Sequence, residues 1–441
     1  MELQKFDGRT RHDKRNANHF RDTSSAEQMA IESGDDNHNV AHATKSTHDT
    51  DSAPDGGFTA WMQVVGGGIV NTFGVYQTYY ESGELFQTSS TTISWIGSVQ
   101  TFCLLFIGAL TGPVFDAGYF RALLYAGSFL VVFGQMMLSL CTELWQVVLA
   151  QGICIGIGTG LLFVPSVAII STYFSKKLAL AMGFAASGSG SGGVIYPIVF
   201  HRLQPAIGFA WATRVIGFMM LATLLIPLAV MRVRILPPKA RKLIDWSAFS
   251  DVPYMTYVLG TLVGYMGLFV PFFYISYYAI QQKFTDENLG FYMLPILNSA
   301  SIFGRLLPNI FADKLGVLNT IIPCSFITSI IAFCLIRVDS QASIIATAVL
   351  YGFFSGVYVS LPPTILVFLT PDRSLVGTRL GQGFATISFG VLISTPVAGA
   401  ILGTDSWTHT WIYSGVLLFV ASCSFVAVRV LKGEGGVNVA H

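Results

Sequence analysis

Arg305 is the residue of this 441-residue chain least readily explained as packing. It lies within an apolar run, eight residues before Asp313, which is about 12 Å along a helix. A charge at that depth in an apolar segment is costly unless it faces water or a partner. Guanidinium donors match a carboxylate bidentately, so anion capture is the chemistry this residue could perform. Bonding helix carbonyls in a purely structural role is the alternative. Ser301 stands one turn before it on the same helix face, and Asn298 a further turn back.

Two short turns carry acid and base at matching places. One reads GPVFDAGYFRALL, with Asp116, Gly118 and Arg121; the other reads NIFADKLGVLNT, with Asp313, Lys314 and Gly316. Charge contacts there could hold two halves of a carrier together and break when it opens, although any short charged turn would look similar. A third group follows Phe58, where Gly67, Asn71, Gly74 and Thr78 recur at helical spacing, with Tyr76, Tyr79 and Tyr80 beyond them. Asn71, Tyr76 and Tyr79 could line a path for a flat organic molecule, but aromatic belts at a membrane surface use the same residues. Phe269, Phe272, Phe273, Tyr274, Tyr277 and Tyr278 pose the same choice around Pro271, a candidate kink. Arg214, close to the end of its run, is expected to snorkel to the interface.

Enzyme chemistry has little to build on. There is no HExxH, GxSxG, paired CxxC or ATP site, and GFAASGSGSGG (183–193) lacks the Lys-Ser/Thr of a phosphate loop. The six cysteines, Cys103, Cys141, Cys154, Cys324, Cys334 and Cys423, have no metal-ligand spacing. No cofactor or metal is called for. Without an ATP site, concentrating transport must draw on an ion, proton or substrate gradient.

The elements that must position these residues are membrane helices. Of the chain 52% is hydrophobic and only 11% charged, against about 25% charged in a soluble domain. From Phe58 onward, apolar runs of membrane-spanning length recur at about 58–80, 92–115, 122–142, 145–171, 178–200, 210–232, 254–280, 290–311, 317–337, 341–370, 377–402 and 407–431. Twelve such runs predict an all-α membrane protein. Thirteen Lys and Arg fall on the side of the N-terminal tail and three (Arg202, Lys283, Arg337) on the other, which puts both termini in the cytosol. A formal charge of +1 gives no bias toward nucleic acid.

Residues 1–54, with seven basic and ten acidic residues and five histidines, read as a disordered cytosolic tail. A basic linker over 233–253 divides the spans into six-helix bundles at 55–232 and 254–431, and 432–441 is a short tail. An offset of 200 pairs Gly152 with Gly352, Gly156 with Gly356, Gly183 with Gly383, Gly190 with Gly390 and Trp211 with Trp411, as a two-fold internal repeat requires. Small residues every four positions, such as Gly152, Gly156 and Gly160, or Gly377, Gly381 and Ala385, would let helices approach closely.

With DGGFTAW at 55–61, the run QGICIGIGTGLLFVPSVAIISTYFSKKLALAMGFAASGSGSGG and LNSASIFGRLLPNIFADKLG, residues 55–431 resemble the major facilitator superfamily, and more closely its fungal monocarboxylate porters. The resemblance implies two pseudo-symmetric six-helix bundles that rock around a central site, with Arg305 attracting a substrate carboxylate. It also implies departures. Proton-cotransporting members carry an aspartate where this chain has Ser301, and the lysine near the end of their first span is replaced around Tyr79.

The sequence thus points to a secondary transporter at the plasma membrane that moves a small, carboxylated or anionic solute by alternating access. Export of a larger secondary metabolite, or a sensor built on a carrier scaffold, is the alternative.

Overall fold

The computed structural model describes residues 60, 61, 64, 76, 79, 80, 83, 85–174, 176–233, 243–403 and 407–433. The tail with its histidines, most of the first span including Asn71, the basic stretch 234–242 and residues 434–441 lie outside the described residues.

Among the described residues the chain is helical and without strands. The helices are α1 (Ser90–Leu110), α2 (Phe120–Leu138), α3 (Leu144–Tyr173), α4 (Leu178–Val230), α5 (Val252–Gln281), α6 (Glu287–Leu315), α7 (Val317–Cys334), α8 (Gln341–Phe368), α9 (Val376–Leu402) and α10 (Trp407–Gly433). Nine stretches among the described residues are long and apolar enough to cross a membrane, and one of them, α4, holds two of the expected crossings. Asn298, Arg305, Pro308 and Asn309 interrupt the apolar run of α6 and leave it outside that set, but its 29 residues are long enough to span. Every apolar run after the first therefore has its helix.

Polar side chains start the helices where the apolar runs begin. Ser89 accepts from the Thr92 amide, Asp251 from Tyr254, Asp286 from Leu289 and Ser340 from Ser343, each satisfying an amide that the helix itself cannot. Phe129, Leu225, Phe303 and Ile330 are exposed on the outside of the molecule, where lipid is the solvent that suits them.

Two local features depart from the runs read off the sequence. The loop expected between 200 and 210 is absorbed into α4, which is helical over 53 residues and broken only at Gly208, with φ 76° and ψ 169°. Glycine adopts that conformation at no steric cost, so one residue does the work of a loop. Helix α5 continues through Pro271. The two acid–base turns do repeat in geometry: Gly118 and Gly316 both take positive φ, 88° and 94°.

The contacts that matter for function join helices from different halves of the chain. Helix α1 packs along α9, and α4 along α6. The second pair is tight because it lacks side chains: a Cβ at Gly183 would stand 2.3 Å from the Arg305 carbonyl oxygen, and one at Gly193 would meet the Asn298 amide.

Candidate functional site

Between the halves lies a cavity of about 150 Å³. Its walls come from α1 (Thr101, Leu104, Leu105), α3 (Phe163, Ser166, Val167, Ile170), α4 (Met182, Ala185, Ala186, Ser189), α5 (Tyr265, Phe269), α6 (Arg305), α8 (Val359, Ser360, Pro363) and α9 (Phe384). Most of that surface is carbon. The hydroxyls are largely engaged: Ser166 donates to Leu162 O at 2.6 Å, Ser360 to Gly356 O at 3.1 Å, and Tyr265 to Tyr358 O at 3.1 Å. Phe163 and Phe384 meet edge to face across the interface, centroids 5.5 Å apart.

Arg305 is the charged member of the wall and is 4% exposed. Its Nη1 donates to the Ala186 carbonyl and, at 2.6 Å, to Ser189 Oγ, while the Ser189 hydroxyl donates to Ala186 O at 2.8 Å. Nε is buried without a partner among the described residues. The guanidinium is thus oriented by two neutral acceptors on α4, and no carboxylate lines the cavity among the described residues. Gly190 makes room for it, since a Cβ there would lie 3.4 Å from Nη1 and 2.8 Å from Ile302. Walls of this chemistry suit an organic anion with an apolar body: carbon surface would take the body and the guanidinium the acidic end.

The other residues singled out by sequence sit elsewhere. Asn298 shares the helix face of Arg305 but turns its amide to Leu294 O (3.1 Å) and Gly193 O (3.4 Å), tying α6 to α4. Ser301 is fully buried, its hydroxyl without a partner among the described residues, and does not line the cavity. Tyr76 and Tyr79 do not line it either. Tyr76 accepts from Gln135 Nε2, and both rings pack with Phe200 and Phe209 in an aromatic cluster formed with α2 and α4. Burying those rings against aromatic neighbours satisfies them locally. Of the named aromatics of α5, Phe269 reaches the cavity. Arg214 donates to Ser139 Oγ at 3.1 Å and lies over the Trp211 ring.

Two further contacts join α4 to α6 on either side of Arg305 in the sequence of α6. In one, Asp313 Oδ1 accepts from the Ala179 amide at 3.0 Å and Oδ2 from Leu180 at 3.1 Å, so a carboxylate of α6 caps the first turn of α4. Helix N-termini carry unpaired amides and partial positive charge, and an aspartate satisfies both. A helix end is thus among the partners of this acid, and Lys314 and Arg121 are exposed. Asp116 is buried, 5% exposed. In the other, the His201 ring stacks on Phe291 at 4.1 Å, with Nε2 3.3 Å from Asn288 Oδ1. Ser98 and Thr395 share a hydrogen bond of 2.6 Å from α1 to α9.

Sequence reasoning missed Ser189 and Tyr265. The signal for Ser189 was its place in GFAASGSGSGG, a polar residue on a strip otherwise fit only for packing. It also missed a charge network around Arg379 at the start of α9. Nε and Nη1 of Arg379 meet Asp245 Oδ2 at 2.8 Å and Asp251 Oδ2 at 2.6 Å, and Nη2 donates to Ser247 Oγ at 3.2 Å. This pins the short helix Trp246–Ser250 against α9.

Known proteins agree with this architecture. The solved human organic anion transporter MFSD10 (TETRAN) superposes with a TM-score of 0.64 at 12% identity, covering 83% of this chain and 98% of that one. The MFS-type transporter dbaD of Emericella nidulans is 52% identical over 83% of this chain and 85% of its own. The aspyridones efflux protein apdF of the same organism is 39% identical over 90% and 83%, and the agnestins efflux protein AgnL12 of Paecilomyces divaricatus 35% over 84% and 86%. The Major Facilitator Superfamily model matches residues 58–336. With that match over more than half of its length, this multi-pass membrane protein belongs to the major facilitator superfamily and is a transporter, not an enzyme.

Proposed function

We propose that the chain exports an amphipathic organic anion, of the secondary-metabolite kind, by alternating access around the Arg305 cavity. The observation that carries this reading is the cavity: lined by helices of both halves, walled mostly by carbon, and charged at one guanidinium. Relatives named as aspyridones and agnestins efflux proteins support export over uptake of a small monocarboxylate. That reverses the order in which the sequence ranked the two. In the cycle, the Asp313 contact and the His201 contact open one at a time, each opening leaving the other end shut. Loop charges support a cytosolic Asp313 end and cytosolic termini; export from the cell would place the chain in the plasma membrane.

The test is uptake into inside-out vesicles from cells that express the chain, using purified aspyridones and 2-naphthalenesulfonate. Wild-type vesicles should fill faster than vesicles carrying equal amounts of Arg305→Ala, which removes the charge and leaves the helix to insert. Equal uptake by the two would discard the role of Arg305.

A further inference from the structure

Arg305 has no acid to answer it anywhere in the membrane interior. The run 58–80 contains no Asp, Glu, Lys, Arg or His, and the same holds for α1, α5 and α7 and for α8 up to its end at Phe368. The ionisable residues of the other helices stand near their ends or are engaged: His201 with Asn288, Arg214 with Ser139, and Arg379 with its two aspartates. What α4, α5 and α8 turn toward the cavity near Arg305 is Ser189, Tyr265 and Ser360. The cavity thus offers a cotransported proton no carboxylate or imidazole among the described residues, Asp116 and Asp313 standing in the turns at helix ends and His201 beside Asn288, while one fixed positive charge lines the cavity.

We infer that the membrane potential, acting on the substrate's own negative charge, drives the cycle: the carrier loaded with a monoanion switches with a neutral centre, and the empty carrier returns with one positive charge there. This rests on the reading of the substrate as an organic anion. The charge count is simple. Each turn moves one negative charge one way, with no co-ion. In an inside-negative cell the field expels the anion, the direction that export requires. A potential of 100 mV acts on one charge with about 2.3 kcal/mol, which is roughly a 50-fold concentration ratio at equilibrium. The empty carrier holds an unmatched guanidinium in a low-dielectric wall and the loaded one a pair, so occupancy also lowers the cost of passing through the closed state.

The experiment uses the full-length protein in proteoliposomes with the potential set by potassium and valinomycin. The probes are 2-naphthalenesulfonate, charged at every pH used, and its neutral sulfonamide, each present at equal concentration on both sides at the start. At 100 mV, negative inside, the sulfonate should redistribute outward toward the 50-fold ratio while the sulfonamide stays even, and at 0 mV neither should move. Arg305→Lys, which keeps the charge and loses the fork, should reach the same sulfonate ratio more slowly; Arg305→Gln should lose sulfonate flux. Labelled sulfonate that exchanges at the same rate at 0 and 100 mV without redistributing would overturn the inference alone. So would accumulation that follows a proton or sodium gradient at 0 mV. Absence of sulfonate flux under every condition would remove the anion-carrier reading itself, and the inference with it.

Discussion

Arg305 and Arg379 are both almost enclosed, 4% and 6% exposed, and both belong to the second half of the chain. They differ in what answers the charge. Arg379 meets two carboxylates, the Ser247 hydroxyl and the face of Tyr254, whose own hydroxyl donates back to the Arg379 carbonyl at 2.6 Å. Arg305 meets a carbonyl and a hydroxyl, and its Nε meets nothing among the described residues. A buried charge is tolerated when paired and hydrogen bonded. Arg379 is a finished structural unit; Arg305 has no carboxylate on its guanidinium among the described residues, the place the proposed anion would take.

The largest expected effect is therefore on transport at Arg305. Truncating one side of a desolvated charge pair costs about 2–5 kcal/mol, so Arg305→Gln should lower flux at limiting substrate by roughly 30-fold or more. The purified protein should still elute and melt like wild type. Arg379→Gln should divide the other way. It leaves Asp245 and Asp251 without their cation, and because Asp251 is 22% exposed the loss should fall below the 3–5 kcal/mol of a fully buried pair, at about 1–3 kcal/mol. Thermal melting in detergent should report that loss, while flux per folded molecule stays within about twofold. A dead but stable Arg379→Gln protein would break the distinction between the two arginines.

The sequence carried this difference only in part. Arg305 stood out because charge deep in an apolar run is rare, and hydropathy also located the helices. Pairing across the fold was not legible. Nothing in the local pattern says that Asp245 and Asp251, in a linker, reach an arginine more than 120 positions away. The turn at 201–209 was read as a loop because polar residues His201, Arg202 and Gln204 gather there, yet a single positive φ at Gly208 replaces it. Tyr76 and Tyr79 misled for a related reason: a phenol that suits a binding cavity suits an aromatic cluster equally, and only the positions of Phe200 and Phe209 decide. Asp313 stood out in the sequence as half of an acid–base turn, but the pair of backbone amides it accepts from is a group that every helix start offers and no residue type marks.

That contact supplies a smaller prediction. Asparagine keeps an acceptor at position 313 and removes the charge, and a charge at a helix N-terminus is worth about 0.3–1 kcal/mol when exposed. Asp313→Asn should therefore change the rate of the opening step by about two- to fivefold, read as turnover at saturating substrate, and leave substrate affinity unchanged. An effect on affinity alone would move Asp313 from the closure to the binding site.

The smallest effect belongs to the acid end of the pH scale and sharpens the contrast from the paired side. Hydrogen bonds from Ser247, and then from Arg379, hold the Asp245 carboxyl below its ordinary value. A carboxyl whose folded pKa is depressed contributes stability that is fully present above the unfolded pKa, about 3.9, and is lost as pH falls through the folded one. The gap in melting temperature between wild type and Arg379→Gln should thus stay constant from pH 7 to about 4.5 and close only below about pH 4. A gap that closed between pH 5 and 6 would mean that the aspartates are not held as charged partners, and the two arginines would no longer differ in kind.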